Sequence, residues 1–123
     1  MKSFILLSAL VAFVAADSIE YYTTGNDYYD VDAMMKDSTS FKKFVDCYLD
    51  VGPCDALTAS FKVNANEAIA TACRRCNDAQ KHLVNRTFWG LKNLHPEYYE
   101  KFQKKYDPDN IYFADFEKAV AGY

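Results

Sequence analysis

The sequence predicts an all-α domain of six short helices, and three observations carry that prediction. Apolar side chains recur at i, i+3, i+4 and i+7 along most of the chain, the period of one helix face. Helix breakers are scarce, with four glycines and three prolines in 123 residues. No stretch alternates apolar and polar residues as a half-buried strand would.

The N-terminus stands apart from that domain. Lys2 supplies a positive start, and Phe4 to Ala16 is an apolar run without a charge. Val14 and Ala16 occupy the −3 and −1 positions of a small-residue cleavage site before Asp17. This is the layout of a secretory signal peptide, and the run falls short of the roughly 20 residues that a membrane span needs. Residues 1–16 are therefore expected to be removed. Residues 17–123 are left as one secreted domain of 107 residues.

The helices follow in order. Asp17 to Asp30 has little helical period and holds the turn signal Gly25-Asn26, so an extended lead-in is expected. A short first helix over Val31 to Lys36 presents Val31, Met34 and Met35. Ser38 is the expected N-cap of the second, whose stripe is Phe41, Phe44, Val45, Tyr48 and Leu49 and whose end is Gly52-Pro53. A third runs from about Asp55 to Cys73, burying Leu57, Phe61, Ala65, Ala68, Ile69 and Ala72. Asn77 and Gln80 form a capping pair for the fourth, which carries Leu83, Val84, Phe88, Leu91 and Leu94. Pro96 starts the fifth, with Tyr98, Tyr99, Phe102 and Tyr106. After the turn Asp107-Pro108-Asp109-Asn110, the last helix carries Tyr112, Phe113, Phe116 and Val120.

Composition excludes several functions. Removing Lys2 with the leader leaves 13 basic against 17 acidic residues, a net charge of −4 with no basic block, so a nucleic-acid partner is not expected. There is no G-x-S-x-G, no H-E-x-x-H and no phosphate-binding glycine loop. His82 and His95 stand alone as surface or helix-end residues. The acids after Tyr106 fail as a calcium loop, because Tyr112 stands where glycine is needed and Lys118 where the bidentate acid belongs. No enzyme, cofactor or metal is expected. Asn85-Arg86-Thr87 is a glycosylation sequon, but within a helix, where attachment is sterically unwelcome.

The four cysteines form the pattern C-x6-C-x18-C-x2-C. Zinc binding, redox chemistry at Cys73-Arg74-Arg75-Cys76, and structural disulfides compete for them. One wide bracket loosens the zinc match. The redox motif lacks its βαβ setting, although the arginines would lower a thiol pKa. Disulfides suit an oxidising compartment. Of three connectivities, Cys47–Cys54 with Cys73–Cys76 is favoured, because each pair already sits on one local element. Loops this short are worth only about 2–2.5 kcal/mol each in the chain-entropy estimate. They fix helix ends and leave the helices free to shift against each other.

That cysteine spacing in a small helical chain resembles the insect chemosensory proteins, the OS-D-like family. Tyr22-Thr23-Thr24 followed by Val31-Asp32 is similar to the family's N-terminal stretch, and Lys105-Tyr106-Asp107-Pro108 with Tyr112 to its K-Y-D-P-x-x-x-Y segment. Phe44 fills the aromatic position three before the first cysteine. Tyr99 stands where the family often has tryptophan, while Trp89 lies elsewhere. The resemblance implies six helices around an apolar channel, sequential disulfides, and non-catalytic binding of long-chain lipids or odorant-like molecules.

The composition points the same way: ten Tyr, nine Phe and one Trp. The expected channel wall is Phe44, Tyr48, Ile69, Val84, Phe88, Leu91, Tyr99, Phe102, Phe113 and Phe116. Taken singly, each fits a packed core as well as a wall. Together, twenty aromatics exceed what this chain needs to close a solid interior. Two functions are consistent with this. The first is a secreted, monomeric carrier of a fatty acid, long-chain alcohol or other semiochemical. The second is a secreted signalling or structural protein that docks on a protein partner, with a solid core and an exposed aromatic patch.

Overall fold

A computed structural model describes residues 19–123, so the expected leader, its cleavage site and Asp17 lie outside the described residues. The described chain is all-helical: α1 Val31–Met35, α2 Ser38–Tyr48, α3 Ala56–Lys62, α4 Ala65–Ala70, α5 Asp78–Leu94, α6 Pro96–Tyr106 and α7 Phe113–Val120. The six expected helices are all present, the third as two pieces, α3 and α4. The break falls at Asn64, a residue of low helix propensity whose side chain makes no capping bond here. Its carbonyl then accepts from Ala68 N at 2.9 Å and restarts the helix. No helix among the described residues is long and apolar enough to cross a membrane.

Caps explain the boundaries. Asp37, not Ser38, caps α2: one oxygen accepts from Thr39 N at 3.0 Å and the other from the Ser40 hydroxyl at 3.0 Å. A carboxylate offers two strong acceptors where serine offers one hydroxyl. Asp30 and Asp55 cap α1 and α3 in the same way. Asn77 and Gln80 form the expected reciprocal box at α5, both bonds at 2.9 Å.

Helix α2 ends at Tyr48, before the Gly52-Pro53 stop that the sequence offered. Asp50 enters the left-handed region at φ 60°, and Val51 N reaches back to Asp46 O at 3.0 Å. The chain must reverse here because Cys54, seven residues after Cys47, is bonded to it. Asp50 also draws in Lys62 and Lys105, and these hold its carboxyl down to about 2. The second disulfide, Cys73–Cys76, sits in a turn where Ala72 and Cys73 both have positive φ, at 53° and 59°. Helix α4 therefore stops at Ala70 rather than Cys73. Each disulfide starts near a helix C-terminus and ends one residue before the next N-cap, Asp55 or Asn77.

Helix α5 is the axis, packing against α1, α6 and α7, while α2 and α3 close the opposite side through α1. Gly90 lets Met35 and Phe41 come close to the α5 backbone. A Cβ there would collide with Met35 Sδ and lie 3.0 Å from Phe41 Cζ. Phe41 is fully buried and Met35 nearly so, leaving little room to yield. Gly90→Ala is thus expected to lower stability by about 1–2 kcal/mol, overpacking outweighing alanine's better helix propensity. Urea denaturation measures it, and an unchanged or raised midpoint would show that Met35 moves aside freely.

Candidate functional site

Between α2, α4 and α5 the side chains do not meet, and an apolar cavity of about 100 Å³ remains. Helix α2 contributes Phe44, Val45 and Tyr48 to its wall, and α5 contributes Gln80, Leu83, Val84, Thr87, Phe88 and Leu91. Helix α4 supplies Ala65, Ala68 and Ile69, whose small size leaves the space open. Phe61, Phe102 and Phe116 close it from α3, α6 and α7. The spacing explains the convergence. Leu83, Thr87 and Leu91 fall at i, i+4 and i+8 on α5, and Phe44 and Tyr48 at i and i+4 on α2, so one stripe of each helix faces inward.

Of the ten residues expected in the wall, Phe44, Tyr48, Ile69, Val84, Phe88, Leu91, Phe102 and Phe116 line this cavity. Tyr99 and Phe113 are not in the lining. They back it, with Phe88 packing 6.1 Å from Tyr99 and 5.3 Å from Phe113 between ring centroids. The Tyr99 hydroxyl instead donates to Glu117 Oε2 at 2.9 Å and ties α6 to α7. Burial and that carboxylate push its phenol well above the ordinary value.

The sequence reading missed the N-terminal wall. Tyr22, Thr24 and Tyr29 line the cavity from the extended segment, which is pinned in place. Tyr22 N donates to Arg75 O at 3.0 Å, and Tyr22 Oη to Glu67 Oε1 at 2.7 Å. Burial and Glu67 raise the Tyr22 phenol to about 12. Gln80 Nε2 donates to Tyr22 O at 2.8 Å and to Asp27 Oδ1 at 3.0 Å. The cap residue of α5 thus also fastens this wall, a second role that no periodicity signals. Burial raises the Asp27 pKa, but bonds from Thr24, Asn77 and Gln80 outweigh it and hold the carboxyl below its ordinary value.

Thr87, the third residue of the sequon, is likewise turned inward. It lines the cavity and donates its hydroxyl to Leu83 O at 2.8 Å. None of the cavity's lining residues is Lys, Arg, His, Asp or Glu. Such a wall can hold an uncharged apolar body by area burial and can place a few neutral hydrogen bonds.

Residues 22–114 match the insect pheromone-binding family A10/OS-D. The chain belongs to that family. Among OS-D relatives it is 32% identical to ejaculatory bulb-specific protein 3 of Drosophila melanogaster, over 94% of this chain and 91% of that protein. It is also 32% identical to the allergen Tha p 1 of Thaumetopoea pityocampa, over 91% and 89%. A solved structure described as a chemosensory protein in complex with bromo-dodecanol superposes with a TM-score of 0.72 at 23% identity. The match covers 79% of this chain and 97% of that one. The two chains thus share one helical fold.

Proposed function

We propose that this OS-D protein is a secreted, monomeric, non-enzymatic carrier that reversibly binds a long-chain apolar molecule in the cavity between α2, α4 and α5. The observation that carries this is the cavity itself: an interior space walled by aromatic and aliphatic side chains and free of charged groups. The eight expected residues that line it, together with Tyr22 and Phe61, are the proposed contacts, and Tyr99 and Phe113 support them from behind. The family's pheromone-binding description and the bromo-dodecanol held by the structural neighbour support a semiochemical-like occupant. The leader-like first sixteen residues support secretion. A protein-docking role would have needed a solid interior, and the open space favours the carrier.

Burial of each CH₂ is worth roughly 0.8 kcal/mol, about a fourfold gain in affinity. Displacement of a fluorescent apolar probe by alcohols of increasing length should therefore strengthen steeply and level off once the cavity is filled. Equal affinity from short to long chains would overturn the carrier reading and return attention to a protein partner.

A further inference from the structure

The cavity's polar groups are not equivalent. Gln80 is fully engaged, its amide nitrogen on Tyr22 O and Asp27 and its oxygen on Asn77 N. The Thr24 hydroxyl donates to Asp27 Oδ1 at 2.6 Å, the Tyr22 hydroxyl to Glu67, and the Thr87 hydroxyl to Leu83 O. Tyr29 and Asn64 are half-buried, as Tyr48 is, but the Tyr29 phenol lies in the field of Asp55 and Asp30. Tyr48 is different. Its phenol lies deep in the protein among Phe44, Phe102 and Tyr106, and its hydroxyl has no hydrogen-bond partner among the described residues. Tyr106 bonds only its backbone carbonyl, at 2.6 Å.

An orphan hydroxyl at that depth needs a reason. Every side-chain nitrogen or oxygen among the described residues that is sealed from water has a partner. The Tyr48 oxygen, having none, is therefore not sealed; Tyr48 is a half-buried residue, and it lines the cavity. Burial, with Tyr106 nearby, pushes the phenol far above its ordinary value, so it stays a neutral donor.

We infer that the Tyr48 hydroxyl is the headgroup anchor of the cavity, and that the ligand is a long-chain molecule with a neutral oxygen, such as an alcohol, aldehyde or ester, rather than a carboxylate. The second half follows from charge. A buried carboxylate needs a cation or several donors, and the lining holds no Lys, Arg or His. A carboxylate left at the N-terminal wall would meet Asp27, bonded to Thr24, and the Asp30 and Asp55 pair near Tyr29. This inference rests on the carrier reading and specifies its ligand class.

The test holds chain length constant and varies the headgroup. Dodecane, dodecan-1-ol, dodecanal and dodecanoate compete for the apolar probe at about pH 8, against the unaltered protein and Tyr48→Phe. One neutral hydrogen bond corresponds to about fivefold in affinity. The preference for alcohol and aldehyde over alkane should accordingly fall about fivefold in Tyr48→Phe. Dodecanoate should bind the unaltered protein at least tenfold more weakly than dodecanol. Thermal unfolding of Tyr48→Phe should show no loss of stability, because the hydroxyl holds no other protein group. An unchanged alcohol preference in Tyr48→Phe would overturn the anchor, and dodecanoate equal to dodecanol would overturn the ligand class, in both cases with the carrier reading intact. Absence of binding by all four would remove the carrier reading and this inference with it.

Discussion

Replacing Asp107 with alanine is expected to lower the melting temperature by about 10–20 °C, more than any other polar substitution in the chain. Asp107 follows α6 and is completely shielded from solvent. Its Oδ1 accepts from Ile111 N at 2.8 Å, and its Oδ2 from Tyr112 N at 3.0 Å and Phe113 N at 2.9 Å. Helix α7 has no side-chain cap from Tyr112, its own N-cap residue, so this carboxylate performs that task from five and six residues upstream. Loss of the side chain strands three backbone donors, one of them buried, and frees α7 from the turn that aims Phe113 and Phe116 at Phe88. Thermal unfolding by circular dichroism reads the effect. A shift within a few degrees would mean that water replaces the carboxylate.

The same bonds set a pH dependence. Burial raises the Asp107 pKa, but the three backbone donors outweigh it and hold the carboxyl below 3.8. A carboxylate depressed in the folded state contributes stability that is present above its unfolded pKa and lost as pH falls through the folded value. The gap in melting temperature between the unaltered protein and Asp107→Asn should be full at neutral pH and shrink only below about pH 4, because protonated aspartic acid and asparagine then offer similar groups. A gap that stayed constant into strong acid would show that shape, not charge, makes the cap.

Much of this arrangement was legible in the sequence, and the parts that were not share a physical cause. The stripes of α2 and α5 could be read because helical periodicity reports which residues face inward, and the Asn77/Gln80 box because its spacing is local. The order of the disulfides followed from how near each cysteine lies to its partner. Tyr22 and Tyr29 could not be placed, since an extended segment has no period and its docking depends on Arg75, Glu67 and Gln80, about fifty residues away. Tyr99 and Phe113 have the same helical spacing as true lining residues. Periodicity separates inside from outside but does not separate the face of a cavity from the layer behind it. Asp107 was legible only as a turn residue, because capping across six residues is set by the fold of that turn.

Phe88→Ala should produce the largest apolar effect, a loss of about 3–5 kcal/mol, together with a gain in ligand-dependent stabilisation. Phe88 is buried and stands at the centre of the aromatic cluster, with Phe113, Phe116, Phe102 and Tyr99 at 5.3, 5.4, 5.7 and 6.1 Å. Removing its ring deletes four edge-on contacts and leaves a void that the surrounding helices fill only in part. Because Phe88 also lines the cavity, that void is continuous with it. A ligand that enters the enlarged space restores apolar contacts that the variant lacks and the unaltered protein already has. Binding to the folded state alone raises stability by RT ln(1 + [L]/Kd), so the ligand-induced rise in melting temperature should be larger in Phe88→Ala, most of all for branched or aromatic alcohols too wide for the original space. A variant that is destabilised as expected but gains nothing from ligand would place Phe88 in the core alone and shift the binding wall toward Phe44 and Tyr48 on α2.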